Sequence, residues 1–228
     1  MAESDEPNED DFAELRRGMV RLIAAYAELS GEQTLKRQLD PRVLAVMERI
    51  PRHAFVPVEI RPYAYADGPL PIGCGKTVSQ PFIVALMTDL LELSEADRVL
   101  EIGTGLGYHA AVMAALAQEL YSVEIIEELA GQAERRLGEL GAANIRFRLG
   151  DGYYGWPDHG PYDKILVAAA NELVPPPLIE QLKPGGRMVV PTGLEQEQKL
   201  TLVEKDLSGH LELREILPVT FAAMVRSH

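Results

Sequence analysis

RVLEIGTGLGYHAA, residues 98–111, is an apolar five-residue run, then glycines at 103, 105 and 107, then an alanine-rich segment. Such a run bounded by glycine reads as a strand buried on both faces, and the residues after it as a helix to about Ala117. The same alternation continues downstream. Strands are expected at Leu120–Ile126, Ile145–Leu149, Lys164–Ala170 and Arg187–Pro191, with helices at ELAGQAERRLGEL and PPLIEQL between them. Strands alternating with helices call for an α/β fold, a doubly wound and mostly parallel sheet. Two further strand-like runs, KLTLVEK and LREILPVTF, are joined by DLSGH, a hairpin turn, and add an antiparallel end to the sheet.

Upstream the periodicity is helical. Leu15, Met19, Leu22, Ile23, Tyr26 and Leu29 form one stripe ended by Ser30-Gly31. Asp40-Pro41 is an N-cap with proline at the first helical position, opening a second helix closed by Pro51. The segment Pro51–Gly75 is broken by proline and glycine yet rich in apolar residues, so an ordered loop is expected. A third helix should run from Pro81 to about Leu93. The expected organisation is a disordered acidic tail at 1–12 and a single domain at 13–228. That domain has N-terminal helices and a substrate-side loop (13–75), a cofactor-binding core (76–193) and C-terminal strands (194–228).

Bulk composition excludes several function classes. The 228 residues are 46% hydrophobic and 25% charged, an ordinary globular balance. Net charge is −13, and the tail contributes Glu3, Asp5, Glu6, Glu9, Asp10 and Asp11 without one cation. The remainder is still acidic, which argues against nucleic acid or an anionic membrane as partner. The single cysteine, Cys74, excludes an internal disulfide and a multi-cysteine zinc site, so no metal is expected. No apolar run reaches the roughly 18 residues of a membrane span. A cytoplasmic location is expected, and a monomer over an oligomer.

In a doubly wound sheet the ligand sits beyond the carboxyl ends of the strands where strand order reverses. A dinucleotide turn wants G-x-G-x-x-G, but here the third glycine comes one residue early and Tyr108 stands in its place. The pattern E-x-G-x-G-x-G, from Glu101 to Gly107, resembles class I S-adenosylmethionine-dependent methyltransferases. Glu124, near the end of the second strand, is placed for a carboxylate accepting both ribose hydroxyls. Asp151-Gly152, after the third, is where that class meets the adenine amino group. Each acid or glycine alone reads equally well as a turn residue; Glu101, the three glycines, Glu124 and Asp151 in register do not.

More specifically, the chain from Asp40 to Gly193 resembles the protein-L-isoaspartate (D-aspartate) O-methyltransferase family. The resemblance rests on DPRVLAVMERIPRHAFVP, YADGPLPIGCGKTVSQPFIVALMTDLLEL, RVLEIGTGLGYHAA, YSVEIIEELA, GDGYYGWPDHGPYDKILVAAA and LIEQLKPGGRMVVPTG. It implies S-adenosylmethionine as cofactor and isoaspartate-containing peptides and proteins as substrates. The methylated α-carboxylate then closes to a succinimide, which starts repair. It further implies that Ser79 lies beside the substrate carboxylate as the catalytic residue. Thr77, Val78, Ser79, Glu101, Gly103, Thr104, Gly105, Leu106, Gly107, Glu124, Ile125, Asp151 and Gly152 are the cofactor-binding set it implies.

Elementary chemistry agrees. A carboxylate with a reference pKa of ~3.5–4 is already ionised and nucleophilic near neutral pH. Methyl transfer then needs alignment and exclusion of water, not a strong base. The start of the Pro81 helix is expected to serve as an anion site. The chain departs from the family at Lys76, His109, Asn171–Leu173 and Ala222–Met224. Those departures keep open a methyltransferase for a small molecule or modified peptide, and a non-catalytic cofactor-binding homologue. His53 is expected to be structural, and His159 is weak evidence for a metal. His109 is either near the cofactor or a solvated first-turn residue. Tyr153, Tyr154 and Trp156 either flank the adenine or pack their loop.

Overall fold

The computed structural model describes residues 7–34 and 36–226. The core is a seven-stranded sheet. Its strands are β3 (Arg98–Ile102), β4 (Glu119–Glu124), β5 (Ile145–Leu149), β6 (Tyr162–Val167), β7 (Leu182–Thr192), β8 (Lys199–Lys205) and β9 (Leu211–Pro218). Across the sheet they lie in the order β5-β4-β3-β6-β7-β8-β9; β3 to β7 are mutually parallel, β8 is antiparallel to β7, and β9 is antiparallel to β8 at the edge. Helices α4 (Tyr108–Ala114), α5 (Glu127–Glu139) and α6 (Pro176–Gln181) connect them. The chain winds outward from β3 in both directions, through β4 on one side and β6 on the other. A cleft therefore opens beyond the carboxyl ends of β3 and β6.

The apolar runs follow from burial on both faces. Val99, Leu166 and Val189 join the cluster under the N-terminal helices. Leu100, Ile102, Ile165, Val167 and Met188 pack on the opposite face with Leu178 of α6. Helix α3 (Pro81–Leu91) is buried along its whole length, held between the sheet and the helices α1 (Glu9–Thr34) and α2 (Pro41–Arg49). A helix apolar all round, such as PFIVALMTDLL, is stable only in that position.

Two expectations are corrected. The disordered tail was set at 1–12, yet α1 starts at Glu9; residues 1–6 lie outside the described residues. The cap explains the earlier start. Asn8 Oδ1 accepts the N–H groups of Asp10 and Asp11, and Asp11 accepts the Asn8 N–H in return. Glu9, Asp10 and Asp11 complement the positive helix end. Phe12 is buried and stacks on His53 at 4.0 Å.

Second, Ser30-Gly31 does not end α1, which continues to Thr34. Gly31 is instead the point where Arg37 passes so closely that a Cβ would collide with it.

The ordered Pro51–Gly75 loop contains two short 3-10 turns and, with the residues after it, a two-stranded hairpin: β1 (Leu70–Gly73) and β2 (Lys76–Val78). Its turn places Cys74 (φ 51°) and Gly75 (φ 67°) both in the left-handed region, which matches the twist of a tight hairpin.

Candidate functional site

The carboxyl end of β3 runs into a turn whose glycines all have positive φ. At Gly103 (φ 91°) a side chain would also press on Ala168 of the neighbouring β6 connection. At Gly107 (φ 96°) a Cβ would come within 2.8 Å of Leu137 Cδ1, so this glycine lets α4 start tight against α5.

Glu124, 7% exposed at the end of β4, holds the turn from the side. Its Oε2 accepts the Gly105 N–H at 2.8 Å, and its Oε1 accepts the N–H groups of Ile125 (2.9 Å) and Ile126 (3.0 Å). A carboxylate has roughly four acceptor positions. Three are in use, and the fourth position, on Oε2, is open.

Beneath the turn lies a polar chain. Thr104 Oγ1 and Ser122 Oγ are 2.6 Å apart, and Ser122 donates to Glu101 Oε2 at 2.5 Å. Glu101 is completely buried and its Oε1 has no hydrogen-bond partner. Burial pushes its carboxyl up to about 8, against the opposing Ser122 bond, so it is protonated at neutral pH. Glu101 therefore supports the turn from behind as a neutral acid.

These elements border a cavity of about 1070 Å³. Thr77, Val78, Ser79, Gly103, Thr104, Gly105, Leu106, Glu124, Ile125 and Gly152 line it. Glu101, Gly107 and Asp151 are not on its wall. Asp151 is turned to cap the 3-10 turn after it, accepting the Tyr153 N–H at 2.9 Å. Tyr153, Tyr154 and Trp156 are also off the wall: Trp156 packs edge-on against Tyr121, and the Arg226 guanidinium lies 3.6 Å over the Tyr153 ring.

The helix-end anion site is corrected. The start of α3 is already taken by the chain's own Asp67, which accepts the Gln80 side-chain N–H at 2.6 Å and the Phe82 backbone N–H at 3.4 Å. Ser79, one residue before the cap, has its carbonyl bonded to Arg52 Nη2 at 2.8 Å. Its hydroxyl makes no hydrogen bond among the described residues, and the residue lines the cavity.

His109 is not a solvated first-turn residue; it is 8% exposed and lines the cavity. Thr88 Oγ1 donates to the Val84 carbonyl, so at 2.9 Å it accepts from His109 Nε2, leaving Nδ1 as an acceptor. Burial, helped by the Arg52 charge, holds this imidazole down to about 3 and therefore neutral. His53 lies elsewhere, bonded to Tyr65 and stacked on Phe12, as a structural residue. His159 sits among Tyr121 and Trp156. Among the described residues no His, Cys, Asp or Glu cluster could hold a metal.

Sequence reasoning missed residues that reach the site from far along the chain. Ile72 and Leu129 pack with Leu106 to seat the β1–β2 hairpin on the glycine turn. Buried Gln198 exchanges two hydrogen bonds with Phe221, and the Met224 N–H donates to the Ala170 carbonyl at 2.7 Å. The segment after β9 is thereby fixed along the cavity. Arg52, fully buried, was passed over in favour of its neighbour His53. An arginine inside the apolar run PRHAFVP was the available signal.

A doubly wound sheet with an E-x-G-x-G-x-G turn after its first strand, and an acid at the end of the next strand holding that turn, defines a class I S-adenosylmethionine-dependent methyltransferase. The chain belongs to the protein-L-isoaspartate(D-aspartate) O-methyltransferase family, whose description matches residues 28–228. It is 56% identical over 216 residues to protein-L-isoaspartate O-methyltransferase 1 of Polaromonas sp., covering 95% of this chain and 92% of that one. The corresponding protein of Cupriavidus necator is 53% identical over 96% of this chain and 85% of its own length. A solved protein-L-isoaspartate O-methyltransferase superposes with a TM-score of 0.78 at 32% identity, covering 91% of this chain and 65% of that one. A Plasmodium falciparum structure titled a putative member, in complex with S-adenosyl-L-homocysteine, shares the fold at TM-score 0.77 and 18% identity, covering 93% of this chain and 99% of that one.

Proposed function

We infer that this chain transfers a methyl group from S-adenosylmethionine to the α-carboxylate of isoaspartyl residues in peptides and proteins. The observation that carries the assignment is family membership at 56% identity over 95% of the chain. The geometry is consistent with it: a large cavity brings Ser79, with an uncommitted hydroxyl, to the same space as the glycine turn and Glu124. The donor supplies an electrophilic methyl on a sulfonium centre. The chain's own residues bind, orient and keep water out.

In this reading Glu124 takes one ribose hydroxyl while it holds Gly105, and Thr77, Val78, Gly103–Leu106, Ile125 and Gly152 surround the donor. Glu101, Gly107 and Asp151 act from behind the wall. Ser79 donates a hydrogen bond from its hydroxyl to the substrate carboxylate, which stays ionised and is the nucleophile. The apolar wall of Ile83, Val84 and Phe221 strips water from that carboxylate. Neutral His109 adds no charge that would trap the anion away from the methyl. The expected setting is a cytoplasmic monomer of one domain that engages neither nucleic acid nor membrane. No helix among the described residues is long and apolar enough to cross one.

Mass spectrometry of an isoaspartyl peptide incubated with enzyme and donor tests the assignment. A methyl ester that decays to the succinimide with loss of methanol is expected. An isoaspartyl peptide left unmodified by enzyme that binds S-adenosylhomocysteine would overturn it.

A further inference from the structure

The residues flanking the α3 start show an arrangement that family membership does not supply. Arg52 is fully buried and makes no ion pair among the described residues. Its Nε donates to the Ala64 carbonyl and its Nη2 to the Ser79 carbonyl, both at 2.8 Å. Its guanidinium stacks 4.8 Å over the Tyr108 ring, and its Nη1 has no partner. One and three residues beyond Ser79, the Gln80 amide and the Phe82 N–H are both held by Asp67 of the same Pro51–Gly75 loop. A buried unpaired guanidinium is costly, and an apolar side chain of the same length would satisfy packing more cheaply.

We propose that Arg52, aided by Asp67, is a positioning residue that fixes the Ser79 backbone so that its hydroxyl stays free and faces the substrate carboxylate. Arg52 ties down the Ser79 carbonyl. Asp67 fills the helix end, which denies the substrate carboxylate a competing, misaligned seat. The proposal rests on the reading that Ser79 contacts that carboxylate.

A double-mutant cycle tests it. Arg52→Met in the full chain is expected to lower kcat on an isoaspartyl peptide about 100-fold, the scale of a 1 Å misplacement. Affinity for S-adenosylhomocysteine, read by calorimetry, stays within about threefold, below half of one tenfold step. Arg52→Lys, which keeps the charge but bonds only one carbonyl, recovers part of the loss. The decisive readout is coupling: in a Ser79→Ala background Arg52→Met costs little more, because its effect passes through Ser79. Additive losses would overturn the proposal, as would an Arg52→Met enzyme with unchanged kcat. If Arg52→Met does not fold, the cycle of Asp67→Ala with Ser79→Ala carries the same criterion. A wild-type chain inactive on the peptide overturns the functional reading and the proposal together, whereas additive losses in an active chain overturn the proposal alone.

Discussion

Replacing Glu124 by glutamine changes one atom and should nevertheless cripple cofactor binding. Both carboxylate oxygens accept backbone N–H groups, Oε2 from Gly105 and Oε1 from Ile125 and Ile126. An amide has one acceptor oxygen. If that oxygen keeps the two N–H groups at the end of β4, the new NH2 faces the Gly105 N–H, donor against donor. A hydrogen bond to a charged group contributes about 1.5–3 kcal/mol, so the turn loses roughly that amount of ordering. The cofactor must then supply the ordering from its own binding energy. At 1.4 kcal/mol per factor of ten, this weakens binding by about 10–100-fold. The anionic acceptor for the ribose is lost in addition. Isothermal calorimetry with S-adenosylhomocysteine reads the affinity, and circular dichroism confirms the fold. Binding within about threefold of wild type, under half of one such tenfold step, would refute the reasoning.

Ser79→Ala should lower kcat by about 10–100-fold, the value of one hydrogen bond to a charged group, while S-adenosylhomocysteine affinity changes little; steady-state kinetics with calorimetry separates the two. Glu101 is neutral in the fold up to about pH 8 but ionises near 4.5 when unfolded, so its contribution is full below about 4.5 and is lost as pH rises through about 8. Glu101→Gln should remove that dependence, so its Tm relative to wild type climbs across this window. His109 has the opposite sign: its neutral form is favoured above about 6.5 and stability falls as pH drops towards about 3. His109→Gln should flatten the acid limb of the same Tm profile. Gly107→Ala forces a Cβ into both a positive φ and Leu137, and should cost about 1–3 kcal/mol in denaturant unfolding.

What the sequence made legible tracks how local each signal is. Strands β3 and β5 have the bounds expected from their apolar runs, because a strand in a parallel sheet carries its signature in its own five residues. The β1–β2 hairpin is not legible, since strands of four and three residues are too short to show alternation and the first contains a proline. The stop at Ser30-Gly31 was misread because that glycine serves a contact with Arg37, which the helix pattern does not encode. At the site, the glycine turn and Glu124 were readable as a strand-end motif. Arg52, Asp67 and Gln198 were not. Each acts through a backbone group well away in the chain, 27 residues in the case of Arg52 and Ser79. The helix-end anion site failed for the same reason: the sequence shows the helix start but not the carboxylate that already occupies it.

The central claim, that the acceptor is the isoaspartyl carboxylate, is tested most directly with two peptides identical except for isoaspartate or aspartate at one position. Each is incubated with methyl-labelled S-adenosylmethionine and the wild-type chain, and base-released volatile methanol is counted. The account predicts label from the isoaspartyl peptide and background from its aspartyl twin. Equal label from both, or none from either, would contradict it.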